Sequence, residues 1–177
     1  MELNVLYGAL HDLAFAVYIG GLVYAEFVLA PAADAIAPAQ GVVVRQKAGN
    51  WQLVMAWSSL AVILATGLLR LGRMEVLEFP GTFFLKESYA STSQGRTIIA
   101  MMALWLVLVA LGAVMTFLLR PMLVGKMDPR LSQVQRQRRQ ERMMGAAKWM
   151  TVVMRADLAV AVTIVVFGAS LIYGGLL

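Results

Sequence analysis

His11, Phe15, Tyr18, Leu22 and Glu26 follow one another at intervals of four, three, four and four residues. On a helix of 3.6 residues per turn this spacing puts all five on one stripe. An imidazole, a phenol and a carboxylate then share a face. Ionisable groups inside a bilayer cost several kcal/mol unless they meet partners or line a site. The stripe is therefore expected to face protein, with Tyr18 and Tyr24 supporting it, and Asp12, off the stripe, is expected at the solvated surface. Two further charges, Arg155 and Asp157, lie in another apolar stretch. Residues two apart on a helix point to different faces, so they are not a matched pair. Arg155 shares a stripe with Ala159, Val162, Val166, Ala169 and Tyr173, and the small residues on it predict close approach of a neighbouring helix there. Counted from Pro31 and from Lys148, Glu26 and Arg155 lie about 7 and about 10 Å deep at 1.5 Å per residue. The matching depths predict an intramembrane ion pair.

The sole histidine has methionines for company. Met101 and Met102 lie five and six residues after Arg96, at a depth comparable to that of His11. Imidazole nitrogen suits copper and haem iron, and thioether sulfur suits Cu(I) or a haem axial position. Neighbouring residues on a helix are about 100° apart, so at most one of the two is expected to point at His11. The chain has no cysteine, which excludes disulfides, iron–sulfur clusters, thiolate zinc sites and cysteine nucleophiles. One histidine excludes bis-histidine haem ligation within a single chain. No Gly-rich phosphate loop is present.

The elements that must position these residues are four apolar runs: 13–30, extended upstream to about Val5, then 51–69, 97–119 and 158–177. Only Glu26 interrupts the first; the others carry no charge. A hydrocarbon core about 30 Å thick needs about 20 helical residues. A backbone in lipid must satisfy its own hydrogen bonds, and no run alternates like a barrel strand. The sequence predicts one all-α domain over 1–177: an integral membrane bundle of four transmembrane helices, at about 5–30, 51–71, 96–120 and 147–176. The first run lacks a basic leader segment and is expected to stay as a membrane helix. Of 177 residues 60% are hydrophobic and only 14% charged, against about 25% in soluble domains. Soluble enzymes and nucleic-acid modules are thereby excluded, and the lipid bilayer is the expected partner, with other membrane subunits or a homodimer as further ones.

The net charge of +5 is concentrated in loops. Arg45 and Lys47 lie between the first two runs. Arg120, Lys126, Arg130, Arg136, Arg138, Arg139, Arg142 and Lys148 lie between the last two. The opposite side holds Arg70, Arg73, Lys86 and Arg96, offset by Glu75, Glu78 and Glu87. The positive-inside rule then predicts a multi-pass inner-membrane protein with both termini periplasmic. Asp128-Pro129 reads as the start of a basic cytoplasmic helical extension before the fourth span, with Gly145 as a bend. Pro80-Gly81 reads as a turn in the opposite loop. Pro31 and Pro121 close the first and third runs, and Trp51 and Trp149 open the second and fourth. This pattern suggests two hairpins related by a parallel repeat.

Residues 10–27, LHDLAFAVYIGGLVYAEF, resemble the opening of the copper-resistance protein D (CopD-like) superfamily, which includes the HemJ-type protoporphyrinogen oxidases. Shared are a Leu-His pair (Leu10, His11), an aromatic seven residues on (Tyr18) and a Gly-rich turn (Gly20, Gly21); Tyr24 matches the HemJ-type tyrosine. ATGLLRL, 65–71, is similar to the end of the family's second helix, and GRTIIAMMALW, 95–105, to its third-helix opening. The resemblance implies a four-helix membrane fold that handles copper or haem b at the periplasmic side, by binding or transport. A HemJ-like haem-dependent oxidase and a small accessory subunit of a larger membrane complex are the alternatives. The family's third-helix lysine is Met101 here, the lysine before the histidine is replaced by Gly8, and the Pro-Arg after the tyrosine is missing near Glu26. Of the HemJ-type haem residues only His11 carries over.

Overall fold

In the computed structural model, which describes residues 2–82, 84–124 and 132–177, the chain is an all-α bundle. Its first span is α1 (Glu2–Tyr24), which passes through a π-helical turn (Ala25–Leu29) into α2 (Ala30–Asp34). The second is α3 (Pro38–Arg73). A loop with strand β1 (Leu77–Thr82) and the short helix α4 (Glu87–Ala90) leads to the third, α5 (Ser93–Ala113). A second π turn (Val114–Leu119) carries α5 into α6 (Arg120–Val124). The fourth is α7 (Gln133–Ser170), closed by a 3₁₀ turn (Leu171–Tyr173). All four are long and apolar enough to cross a membrane. They run up and down, with α1 against α3, α5 against α7, and α1–α7 and α3–α5 closing the square.

Several expected boundaries move. Pro31 and Pro121 do not end helices. Each lies two residues beyond a π turn. Proline has no N–H to donate, and its ring clashes with the carbonyl four residues back. That carbonyl belongs to Phe27 or Phe117, inside the π turn in both cases, and the wider turn accommodates the ring. The second span begins at Pro38 and not near 51, because nothing after Pro38 breaks a helix. The basic extension and the fourth span are one continuous helix, and Gly145 does not interrupt it. Its start is a capping box at Ser132 and Gln135, which satisfies two backbone donors reciprocally; Asp128-Pro129 lies outside the described residues. Helicity stops at Tyr173, before 176, where Gly174 takes the left-handed conformation at φ +99.

Trp51 and Trp149 are both exposed and stand at matching levels of α3 and α7, as interfacial indoles do. From Trp51 to Arg73 is about 33 Å of helix at 1.5 Å per residue, enough for the hydrocarbon core. The 16 residues of α7 before Trp149 extend about 24 Å past that level. The bundle thus has a basic end, beyond the tryptophans, and a terminal end, where both chain termini lie.

The main core cluster draws on all four spans. Phe15, Tyr18 and Leu22 of α1 meet Leu60 and Ile63 of α3, Leu108 of α5, and Ala161 and Ile164 of α7. The inward stripe predicted for α1 is therefore present. The stripe predicted for α7 is not: Val162, Val166 and Tyr173 are exposed, and Asp157, Ala161 and Ile164 face inward. In a helix that is apolar all round, the small residues beside Arg155 gave no contrast between lipid and protein. At the terminal end Leu71, Leu85 and Ala90 form a second cluster beneath the loop. Leu77 and Leu85 pair in antiparallel fashion; Pro80 and Gly81, expected as the turn itself, lie within β1, and the turn opens at the Gly81 carbonyl oxygen, which accepts from the Phe84 N–H. A Cβ on Gly81 would lie 2.3 Å from the Leu85 carbonyl oxygen, so only glycine permits that turn.

Candidate functional site

Polar groups gather at three levels of the bundle. At the terminal end a cavity of about 460 Å³ opens between α1, α3 and α5. His11, Arg70, Tyr89, Met101, Met102 and Trp105 line it, Phe84 of the loop roofs it and Ile164 of α7 reaches it. The wall is mostly apolar. His11 and both methionines, singled out by residue type, thus share one cavity. Adjacent positions of α5 thus both line the cavity. The Met101 methyl packs toward α7, where a Cβ on Gly168 would lie 3.4 Å from it.

His11 is held from two sides. Its ring meets Phe15 edge-on, with centroids 5.5 Å apart at 64°. Its Nδ1 lies 2.9 Å from Thr66 Oγ1 on α3. The Thr66 hydroxyl lies 2.6 Å from the Val62 carbonyl oxygen, one turn back. Glycine at 67 leaves the ring room, since a Cβ there would already touch Cε1 at 3.5 Å. His11 Nε2 makes no hydrogen bond among the described residues and is not among the fully enclosed unpartnered atoms. Trp105 Nε1 is one of those: a buried N–H without an acceptor, on a residue that lines the cavity. Sequence reasoning missed Thr66 and Trp105. A threonine or tryptophan in an apolar run carries no signal until its neighbours are known. Tyr89, in the loop above, has its phenol pushed up from the ordinary range by burial.

At mid-depth Tyr18 Oη donates to Asp157 Oδ2 at 2.8 Å. Asp157 is 0% exposed, and its Oδ1 is buried with no partner among the described residues. Tyr18 and Asp157 are thus joined as central groups, whereas Tyr24 turns outward and is 52% exposed.

Toward the basic end Arg155 Nε donates to Glu26 Oε1 at 2.6 Å, and Nη2 approaches the same oxygen at 2.6 Å. The predicted ion pair is present. The Glu26 side chain is 9% exposed and that of Arg155 69%, so the guanidinium reaches in from the surface. The seam between α3 and the π turn after α5, the other place where the two hairpins meet, holds a counterpart. Trp57 Nε1 donates to Thr116 Oγ1 at 3.2 Å. Thr116 follows Glu26 by 90 residues, as Pro121 follows Pro31; Arg155 follows Trp57 by 98, as Trp149 follows Trp51. In each of these cross-hairpin pairs a residue of the π turn takes a hydrogen bond from the sixth residue after the interfacial tryptophan. Asp12 is exposed, as expected, and Arg45 pairs with Asp34 at the basic end.

Among the described residues no three His, Cys, Asp or Glu side chains gather, so carboxylate-rich metal sites are not built here. The cavity offers a different donor set: one imidazole nitrogen, two thioethers and an indole N–H, with a guanidinium among its lining groups. Together the fold and cavity define a four-helix membrane bundle with a ligand-sized chamber at its terminal end. No protein family, no curated protein and no solved structure matches this chain.

Proposed function

We propose that this is a multi-pass inner-membrane protein that binds haem b in the terminal-end cavity, with that end facing the periplasm. The observation that carries the reading is a His11 Nε2 with no partner among the described residues, on a residue that lines an apolar cavity together with Met101 and Met102. About 460 Å³ falls within the 300–1,000 Å³ of small-molecule and cofactor sites; a bare ion needs no such space. His11, with Met101 or Met102, would hold the iron. Arg70 would pair with an acidic substituent, and Trp105 N–H needs an acceptor that the described residues do not provide. Bound haem would supply reversible one-electron chemistry; the chain's own part is to exclude water and fix the ring. The likeness of residues 10–27 to CopD-like proteins supports the same reading. Protoporphyrinogen oxidation has less support, because a thioether at Met101 can neither carry a proton nor pair with a carboxylate.

Cu(I) is the second reading, favoured by the presence of both Met101 and Met102 beside one imidazole. An absorption spectrum and a metal analysis of purified protein separate the two. A Soret band that is lost in His11→Ala supports haem. Stoichiometric copper without a Soret band supports the second reading. A His11→Ala protein with full haem and metal content would overturn both.

A further inference from the structure

The contact between His11 and Thr66 determines more than where the ring sits. Thr66 Oγ1 is 2.6 Å from the Val62 carbonyl oxygen and 3.2 Å from that of Ile63. Two oxygens at 2.6 Å require a proton between them, and a carbonyl has none to give. The single hydroxyl proton of Thr66 is therefore committed to α3's own backbone. What Oγ1 presents to His11 Nδ1, 2.9 Å away, is a lone pair. That contact is a hydrogen bond only if Nδ1 carries the hydrogen. In the neutral ring the other nitrogen, Nε2, then has no hydrogen and keeps its lone pair, and Nε2 is the nitrogen without a partner among the described residues.

We infer that Thr66 is the positioning residue of the cavity: it locks His11 as the Nδ1–H tautomer and turns Nε2 into a preformed electron-pair donor. Thr66 touches no ligand itself. Its hydroxyl is held by the backbone one turn away, so its direction is fixed by the helix and not by solvent. A serine at 66 can make the same two bonds; a valine of the same shape can make neither. The consequence for ligation rests on the proposed function, but the tautomer does not.

The test uses the full chain in lipid nanodiscs with ¹⁵N-labelled histidine. His11 is the only histidine, so the two ring nitrogens are assigned without ambiguity. At alkaline pH the wild type should show a protonated Nδ1 and an unprotonated Nε2. Thr66→Val should move the ring toward the Nε2–H form, which an unconstrained histidine side chain favours, and Thr66→Ser should restore the wild-type pattern. Haemin titration should then show affinity falling 10–100-fold in Thr66→Val, the usual loss for a ligand's supporting hydrogen bond, and returning in Thr66→Ser. A wild-type ring protonated at Nε2, or a Thr66→Val ring unchanged, overturns the inference; if Thr66→Val does not fold, the wild-type spectrum alone decides. A wild type with the expected tautomer that binds no haemin leaves the role of Thr66 intact and defeats the haem reading.

Discussion

Arg155 and Glu26 meet at 2.6 Å across α7 and α1, yet the two are buried to very different extents. The carboxylate is 9% exposed and the arginine side chain 69%. Breaking a buried pair costs about 3–5 kcal/mol because a charge is left without compensation. Here only one partner is in that position. Arg155→Met strands Glu26 in the bundle, whereas Glu26→Gln lets Arg155 extend to the headgroups. Arg155→Met should therefore destabilise by about 3 kcal/mol, at the lower end of that range, and Glu26→Gln by clearly less. The double change should be milder than Arg155→Met alone. Thermal unfolding in detergent checks this, and strict additivity would show that the pair carries no coupling.

Tyr18 and Asp157 give the opposite case, since both are buried. Tyr18→Phe removes the one donor to an enclosed carboxyl and should cost about 1–3 kcal/mol. Combining it with Asp157→Leu removes the unsatisfied group as well, and most of the loss should return. Unfolding of the three proteins measures it; a Tyr18→Phe protein as stable as the parent would mean that the bond contributes nothing.

Topology is read from charge. Single cysteines replacing Gln135 and Leu177 should be labelled from opposite sides of intact cells, with an impermeant thiol reagent reaching only position 177 from outside. Labelling of position 135 from outside would invert the proposed orientation and place the cavity at the cytoplasmic face.

The loop above the cavity supplies a pH signal. Burial pushes the Tyr89 phenol up, so the folded loop holds the neutral form more tightly than the unfolded chain does. Its contribution is fully present below the ordinary tyrosine range and falls as pH rises through the raised value. In an alkaline titration followed by tyrosinate absorbance, one late-ionising group should disappear in Tyr89→Phe. A difference spectrum with no late component would contradict the burial of Tyr89.

The sequence by itself determined the four spans and the inward face of α1. Charge-free runs of about 20 residues have no stable alternative in a bilayer, and the polar residues of α1 recur with the period of a helix. It also determined the depth match of Glu26 and Arg155, because each could be counted from a marker at the same face, Pro31 and Lys148. Tertiary structure alone decided which face of α7 turns inward. Asp157 is inward because Tyr18 is there to donate to it, and Arg155 bends around from the lipid side. Lipid is as apolar as leucine, so the residues flanking Arg155 and Asp157 could not reveal which neighbour each would meet. The π turns depended on a proline meeting a helix that continued past it. Thr66 and Trp105 entered the cavity through packing between helices. A hydroxyl or an indole N–H acquires its role there only from the atom placed opposite it, and that atom comes from another part of the chain.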